Sequence, residues 1–140
     1  MKSVGVRGEL LVAQELMKRG WSISFPFGDN SYYDLIAEKL NHICRIQVKC
    51  TERLSLNVGG HGPHYAFSLT HGTSTNKMSY DETMIDFFIC CSIEGNRYWI
   101  LPVKDVTTKT LKIFLDGQKY HEYEGAWDLL RQKHGERLTR

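Results

Sequence analysis

The sequence predicts an α/β domain, in which a mixed β-sheet is flanked by helices, over the whole of residues 1–140. Apolar residues recur with helical spacing near the N-terminus and again near the C-terminus. Between these segments lie short runs that alternate or are wholly apolar, as β-strands do. A length of 140 residues suits one ordinary domain. A hydrophobic fraction of 41% with 24% charged residues is typical of a globular protein.

The first half of the chain contains one predicted helix and three predicted strands. Residues 4–19 have the periodicity of an amphipathic helix, which we expect to end at Gly20. Strands are predicted at 21–25, 32–38 and 43–49. The connection at 40–42 is short, so the second and third strands are expected to form a β-hairpin.

The second half has a less regular pattern. Segments 52–64 and 70–79 are polar, the first of them also rich in glycine, and both are predicted to be loops. A short helix is predicted over 80–85, capped by Ser79 or Asp81. Further strands are predicted at 65–69, 87–92, 97–103 and 110–115, and a C-terminal helix at 125–134.

The composition indicates more about the cellular environment expected for the protein than about its binding partners. The net charge of +2 permits nucleic-acid binding without requiring it. The four cysteines show no CxxC spacing, and Cys44 and Cys90 lie in apolar runs, where a reduced thiol acts as a small hydrophobic group. No apolar run approaches the ~20 residues of a membrane span. We therefore expect a soluble, cytoplasmic protein of a reducing compartment, with no membrane partner.

Polar side chains converge at one end of the predicted hairpin. Asp34 opens one strand, while Gln47 and Lys49 share a face of the next because alternate residues of a strand point the same way. Pairing through the 40–42 turn would bring Asp34 beside the other two. Glu9 adds a fourth group, because it lies on the predicted inward stripe of the first helix, where a carboxylate is unusual.

These four residues are the candidate catalytic set, and they suit metal-dependent phosphodiester hydrolysis. Carboxylate and amide oxygens are ligands that Mg²⁺ prefers, so Asp34, Gln47 and Glu9 are the predicted metal ligands, with Mn²⁺ expected to substitute. Lys49 could orient or deprotonate water, or offset charge in the transition state. Each residue alone has an ordinary alternative: a turn cap, a solvated strand end or a first-turn acid. The joint arrangement favours a nuclease.

The same motifs resemble those of the PD-(D/E)XK nuclease superfamily. They are the run G-x-x-G-E ending at Glu9, Y-D-L-I-A at 33–37 and I-Q-V-K at 46–49. The chain is most similar to the group I intron homing endonucleases of that superfamily, in which glutamine can replace the second acid. It also resembles archaeal Holliday-junction resolvases. Tyr33 replaces the motif proline, and Gln47 replaces an acid, which weakens one metal ligand.

The resemblance implies a restriction-endonuclease-like fold and a Mg²⁺-dependent endonuclease that cuts double-stranded DNA, of the sequence-specific homing type. The alternatives are a structure-specific Holliday-junction resolvase, a catalytically decayed DNA-binding relative and a restriction enzyme. One domain carries one active site, whereas cutting both strands needs two. A homo-oligomer, either a dimer or a tetramer, is therefore expected.

The two predicted loops are expected to contact DNA, since they follow the candidate catalytic strand. Arg53 and Lys77 are the predicted phosphate contacts, and His61, His64 and Asn76 are the predicted base contacts. The two histidines form an HxxH pair, but no second pair of ligands has matching spacing, so a zinc site is not predicted.

Overall fold

The computed structural model describes residues 4–56 and 62–131. Helix α1 spans Val4–Lys18. The strands are β1 (Ser22–Ser24), β2 (Leu35–Lys39), β3 (His42–Thr51), β4 (His64–Ser68), β5 (Thr70–Thr73), β6 (Asn76–Ser79), β7 (Phe87–Ser92), β8 (Arg97–Pro102) and β9 (Thr110–Phe114). Short 3₁₀ helices span Val103–Asp105, His121–Tyr123 and Trp127–Arg131.

A five-stranded sheet in the order β1-β2-β3-β7-β8 forms the centre of the fold. Strand β3 pairs antiparallel with β2 and parallel with β7, so the sheet is mixed. Two further antiparallel pairs, β4–β9 and β5–β6, lie outside this sheet. The predicted fold class, α/β with a mixed sheet, is confirmed.

The β2–β3 hairpin closes through a two-residue turn. Leu40 and Asn41 both have positive φ, at 47° and 73°, as the turns favoured in tight hairpins require. The turn sets the register, in which Leu35 pairs with Ile46. This register fixes which side chains share a face. The antiparallel pairing of β2 with β3 confirms the hairpin predicted from the short 40–42 connection.

Each face of the central sheet carries its own core. On one face, Ile46 and Val48 of β3 pack with Val12 and Leu16 of α1. On the other face, Trp99 belongs to a second cluster that includes residues of β4 and β9. Strand β3 is therefore buried on the face toward α1, whereas Arg45, Gln47 and Lys49 on its other face are half-buried, and β2 and β7 flank its two edges. On α1 itself, helical periodicity predicts Met17 on the inward stripe, whereas its side chain is 56% exposed.

Segment 70–79 is a β-hairpin, and the loop predicted there is wrong. Strands β5 and β6 pair from Thr70 opposite Ser79 to Thr73 opposite Asn76. The hydroxyl oxygen of Thr73 accepts a hydrogen bond from the backbone amide of Asn76 at 3.1 Å, which closes the turn. Most side chains of this hairpin are exposed, so its sequence lacks the apolar alternation by which half-buried strands are identified.

Segment 80–85 forms a turn, and the short helix predicted there is wrong. The side-chain oxygen of Asp81 accepts from the backbone amide of Thr83 at 2.9 Å, which is the local bonding of an Asx turn. The chain then enters β7 directly, which leaves no room for a helix. The C-terminal helix predicted at 125–134 is a 3₁₀ helix over Trp127–Arg131, and its last three predicted residues lie outside the described residues.

Cys50 and Cys91 form a disulfide between β3 and β7. The two residues are register partners with a Cα–Cα distance of 4.7 Å. This pair does not fit the expectation of reduced cysteines, whereas Cys44 and Cys90 are free and buried as expected. A Cβ atom at Gly8 would collide with the sulfur of Cys50, so the glycine lets α1 lie directly on the disulfide.

In the ranges 4–56 and 62–131, no helix is both long and apolar enough to cross a membrane.

Candidate active site

Asp34 lies immediately before β2, next to β3. The backbone amide of Asp34 donates to the carbonyl of Ile46 at 2.8 Å. The amide of Val48 donates to Oδ2 of Asp34 at 2.9 Å. These two bonds, one to the backbone and one to the side chain of Asp34, fix its carboxylate beside β3.

Glu9, in the second turn of α1, shares a cleft with Asp34. The cleft has a volume of about 340 Å³ and is also lined by Phe25, Pro26 and Tyr33, among others. Burial raises the pKa of Glu9, and the charge of Asp34 raises it further. Burial also raises the pKa of Asp34, against the opposing effects of the Val48 hydrogen bond and the Lys49 charge. Two partly desolvated carboxylates therefore face one cleft.

This arrangement fits a hard divalent cation. A cation would relieve the repulsion between the carboxylates of Glu9 and Asp34. No group of three His, Cys, Asp or Glu side chains in the described part of the chain is arranged to hold a metal. The third protein ligand expected from the sequence is the amide oxygen of Gln47, although Gln47 is not among the residues that line this cleft. An all-oxygen set of this kind is the donor set that Mg²⁺ accepts.

Lys49 lies on the same face of β3 as Gln47, with its ammonium held from two sides. Its Nζ donates to the carbonyl of Thr70 at 3.2 Å. The same nitrogen lies 5.6 Å from the centroid of the Tyr80 ring. Burial lowers the pKa of Lys49, while the charge of Asp34 raises it. The structure thus places a partly buried cation near the carboxylate of Asp34.

The surroundings of Lys49 include residues that the sequence analysis did not identify. Tyr80 packs against His71, with ring centroids 4.7 Å apart. Burial and the charge of Asp34 raise the pKa of Tyr80 to about 12, so its hydroxyl is neutral at physiological pH. The Nε2 atom of His71 is buried and makes no hydrogen bond to a described residue. In the sequence, the turn-forming residues beside Gly72 are the local signal of a hairpin, and this hairpin brings the side chains of His71 and Tyr80 inward.

Asp86 lies immediately before β7, and both of its carboxylate oxygens accept hydrogen bonds from Arg45. The backbone amide of Arg45 donates to Oδ2 of Asp86 at 2.7 Å, and its guanidinium donates to Oδ1 at 3.0 Å. The guanidinium also donates to the carbonyls of Thr83 and Glu82, at 2.9 and 2.8 Å. This carboxylate therefore ties the turn before β7 to β3.

The residues expected to contact DNA lie in two regions. Asn76 and Lys77 are exposed on β6, in the hairpin whose first residue holds Lys49. Arg53 is exposed just beyond β3, near the bridge between Ser55 and His64.

Of the two histidines among the predicted DNA contacts, His64 lies within the described residues. His64 is the first residue of β4, and its Nδ1 lies 3.0 Å from the carbonyl oxygen of Gly62. Its ring packs on Phe114 with centroids 4.8 Å apart, so this side chain is partly used within the fold. His61 lies outside the described residues.

Two solved structures match this chain. The bacterial homing endonuclease I-Ssp6803I matches with a TM-score of 0.73 and 18% identity, over 91% of this chain and 90% of that chain. At that identity the likeness shows the fold, which confirms the restriction-endonuclease-like architecture. The Holliday junction resolvase Hjc of Archaeoglobus fulgidus matches with a TM-score of 0.48 and 19% identity, over 81% of this chain and 85% of that chain.

No curated protein sequence matches this chain. A family model described as PD-(D/E)XK endonuclease matches residues 1–128. That span contains α1, the β2–β3 hairpin and every residue of the candidate active site, and it covers nearly all of the sequence. The chain therefore belongs to the PD-(D/E)XK endonuclease family.

Proposed function

We propose that the protein is a Mg²⁺-dependent endonuclease that hydrolyses phosphodiester bonds in double-stranded DNA, as a single nuclease domain over residues 1–140. The observation that carries the proposal is the position of Asp34. Its carboxylate is bonded to β3 between Gln47 and Lys49, and it shares a cleft with Glu9. We infer that the two acidic groups, the amide of Gln47 and the cation of Lys49 act together at this part of the fold.

The side chains divide the work by their chemistry. Asp34, Glu9 and the amide oxygen of Gln47 would hold the metal, with Mn²⁺ able to substitute for Mg²⁺. When bound, the metal supplies Lewis-acid polarisation of the scissile phosphate. Lys49 presents a positive charge where negative charge develops on the phosphate, and its N–H groups can orient the attacking water. The low-dielectric surroundings of this lysine strengthen its effect on that charge.

We propose the sequence-specific homing type, because glutamine at position 47 matches the pattern of that group and the β5–β6 hairpin offers an exposed surface beside the site. Asn76 and Lys77 on this hairpin would contact DNA, together with Arg53, His61 and His64. The alternatives are a Holliday-junction resolvase and a catalytically decayed DNA-binding relative. They differ from the leading proposal in substrate and in turnover, respectively.

Two active sites are needed to cut both strands of a duplex, so we propose a homo-oligomer, either a dimer or a tetramer. Two-fold symmetry would present two copies of the site to opposite strands. Such an enzyme would act on DNA in the cytoplasm.

The deciding experiment incubates the protein and Mg²⁺ with a plasmid library of random inserts and, separately, with a four-way DNA junction. We expect metal-dependent linearisation at a recurrent sequence, with EDTA abolishing it. Preferential cutting of the junction would favour the resolvase. Binding without cleavage of either substrate, in Mg²⁺ and in Mn²⁺, would show a decayed enzyme. Asp34→Asn is the control for contaminating nucleases.

A further inference from the structure

We propose that Tyr80 is a positioning residue for Lys49, and that the β5–β6 hairpin holds this lysine in its working place. The inference rests on the proposed nuclease function. It concerns a residue outside the four motif positions, in a segment that the sequence predicted to be a short helix.

Both contacts of Lys49 come from one hairpin, one from each end. Thr70, the first residue of β5, accepts from Nζ through its carbonyl at 3.2 Å. Tyr80, which directly follows β6, places its ring centroid 5.6 Å from the same nitrogen. Because Thr70 pairs with Ser79, the two contacts lie side by side at the base of the hairpin. The ammonium is thus held between a carbonyl and an aromatic face, the two groups that attract a cation without neutralising it.

The ring of Tyr80 is itself held in place. It packs edge-on against Phe88, with centroids 5.3 Å apart and an interplanar angle of 89°. His71 packs on it with centroids 4.7 Å apart, and Tyr32 packs on His71 at 5.2 Å. Phe88 is the register partner of Gln47 in the β3–β7 pair. The Tyr80 ring therefore contacts both Lys49 and Phe88, and Phe88 is the β7 partner of the candidate metal ligand Gln47.

Lysine needs such a support because its charge sits on a flexible four-carbon stem. Displacement of a reacting group by about 1 Å can cost on the order of 100-fold in rate. Tyr80 restricts where Nζ can lie, while the carboxylates remain fixed by α1 and β3. The ring, rather than the hydroxyl, makes this contact. The inference therefore predicts that an aromatic residue at position 80 suffices.

The hairpin also joins this support to the surface. Asn76 and Lys77 lie on β6 between the turn of the hairpin and Tyr80, on the same pair of strands as Thr70. A shift of the hairpin on DNA would move Thr70 and Tyr80 together. Contact with the substrate and placement of the lysine would then be coupled through one small element.

The test compares Tyr80→Leu with Tyr80→Phe in single-turnover cleavage and in DNA binding measured with Ca²⁺ in place of Mg²⁺. We expect Tyr80→Leu to slow cleavage by about 10- to 100-fold. Its DNA dissociation constant should stay within about threefold of the unaltered protein, because the ring faces Lys49 rather than DNA. Tyr80→Phe should restore the rate to within about threefold, since it keeps the aromatic face.

A matched control exists elsewhere in the chain. Lys119 places its Nζ 5.3 Å from the Tyr120 ring, a lysine–tyrosine pair of similar geometry that lies outside the site. Tyr120→Leu should leave cleavage unchanged. Should Tyr80→Leu fail to fold by circular dichroism, Tyr80→Met provides a second variant without a ring, with a flexible side chain that fills the space.

Three results would overturn the inference while leaving the nuclease proposal intact. They are cleavage at the normal rate by Tyr80→Leu, an equal loss in Tyr80→Phe, and a loss confined to the dissociation constant. Absence of cleavage by the unaltered protein on every substrate would instead overturn the nuclease proposal, and this inference with it.

Discussion

The carboxylate of Asp34 accepts a hydrogen bond from the backbone amide of Val48 at 2.9 Å. Val48 separates Gln47 from Lys49, and its own side chain is buried in the core beneath α1. A backbone contact therefore fixes the acid with respect to both neighbouring candidate residues. It survives substitution of either of those side chains, which allows each to be tested separately.

We expect Lys49→Ala to abolish cleavage while preserving the fold and most of the affinity for DNA. The variant removes the partly buried cation near Asp34, whereas the strand keeps its buried face against α1 and its two neighbouring strands. Cleavage assays and anisotropy titrations with labelled duplex would measure the two effects. The exposed Lys112→Ala serves as the control. Normal cutting by Lys49→Ala would show that the site has been wrongly assigned.

Asp34→Asn should weaken metal binding strongly, and Asp86→Asn should not. Asp34 faces the cleft beside Glu9, whereas both oxygens of Asp86 accept hydrogen bonds from Arg45. Losing those charge-assisted bonds should instead lower the free energy of unfolding by about 1–3 kcal/mol. Calorimetric titration with Mn²⁺ and urea denaturation would separate the effects. Equal losses of metal affinity would contradict the assignment.

Arg53→Ala and Lys77→Ala should each weaken DNA binding on every sequence. If each side chain neutralises one phosphate, the slope of log K against log salt should fall by about one unit per variant. Binding titrations at four or five salt concentrations would measure the slope. Asn76→Ala should change affinity without changing the slope, because it carries no charge. An unaltered slope in both charged variants would place the DNA on another surface.

Gln47→Glu distinguishes a native glutamine from an inactivating one. If glutamine is the functional residue, the site is adapted to two carboxylates, and a third would crowd Asp34 and Glu9. We expect metal affinity at least equal to that of the unaltered protein, with little gain or some loss of cleavage. We further expect the amide nitrogen of Gln47 to need an acceptor that orients it, for which Glu9 is the candidate. A rescue by orders of magnitude would show that the protein is a disabled enzyme.

Reduction of the Cys50–Cys91 disulfide should lower stability markedly. Its two cysteines are 41 residues apart in sequence. Closing a loop of that length lowers the entropy of the unfolded chain and so raises its free energy by about 4 kcal/mol. Urea unfolding with and without dithiothreitol would measure the change. The double variant Cys50→Ser with Cys91→Ser should lose the response to dithiothreitol. A response that persists in the double variant would point to another cause.

The sequence predicted those parts of the site that depend on local structure. Asp34, Gln47 and Lys49 belong to one hairpin, whose short turn sets the register and so brings the three together. Helical periodicity placed Glu9 on α1, and the structure puts it beside Asp34 in the same cleft.

The remaining parts depend on pairing between distant strands. The partners of β3 in β7 lie 41 residues along the chain, so the disulfide does not follow from a local pattern. The contact of Lys49 with Tyr80 likewise joins β3 to a distant segment, beyond β6. The exposure of most side chains hid the β5–β6 hairpin, because such strands carry no apolar alternation.

The central position of β3 in the five-stranded sheet has a consequence for local opening. Its backbone amides lie between β2 and β7, where we expect exchange with solvent to require extensive unfolding of the domain. Those of the exposed β5–β6 hairpin can exchange through a small local fluctuation. The lysine of the site is therefore anchored in the least dynamic strand, while the groups that steady its charged end belong to one of the most easily opened elements.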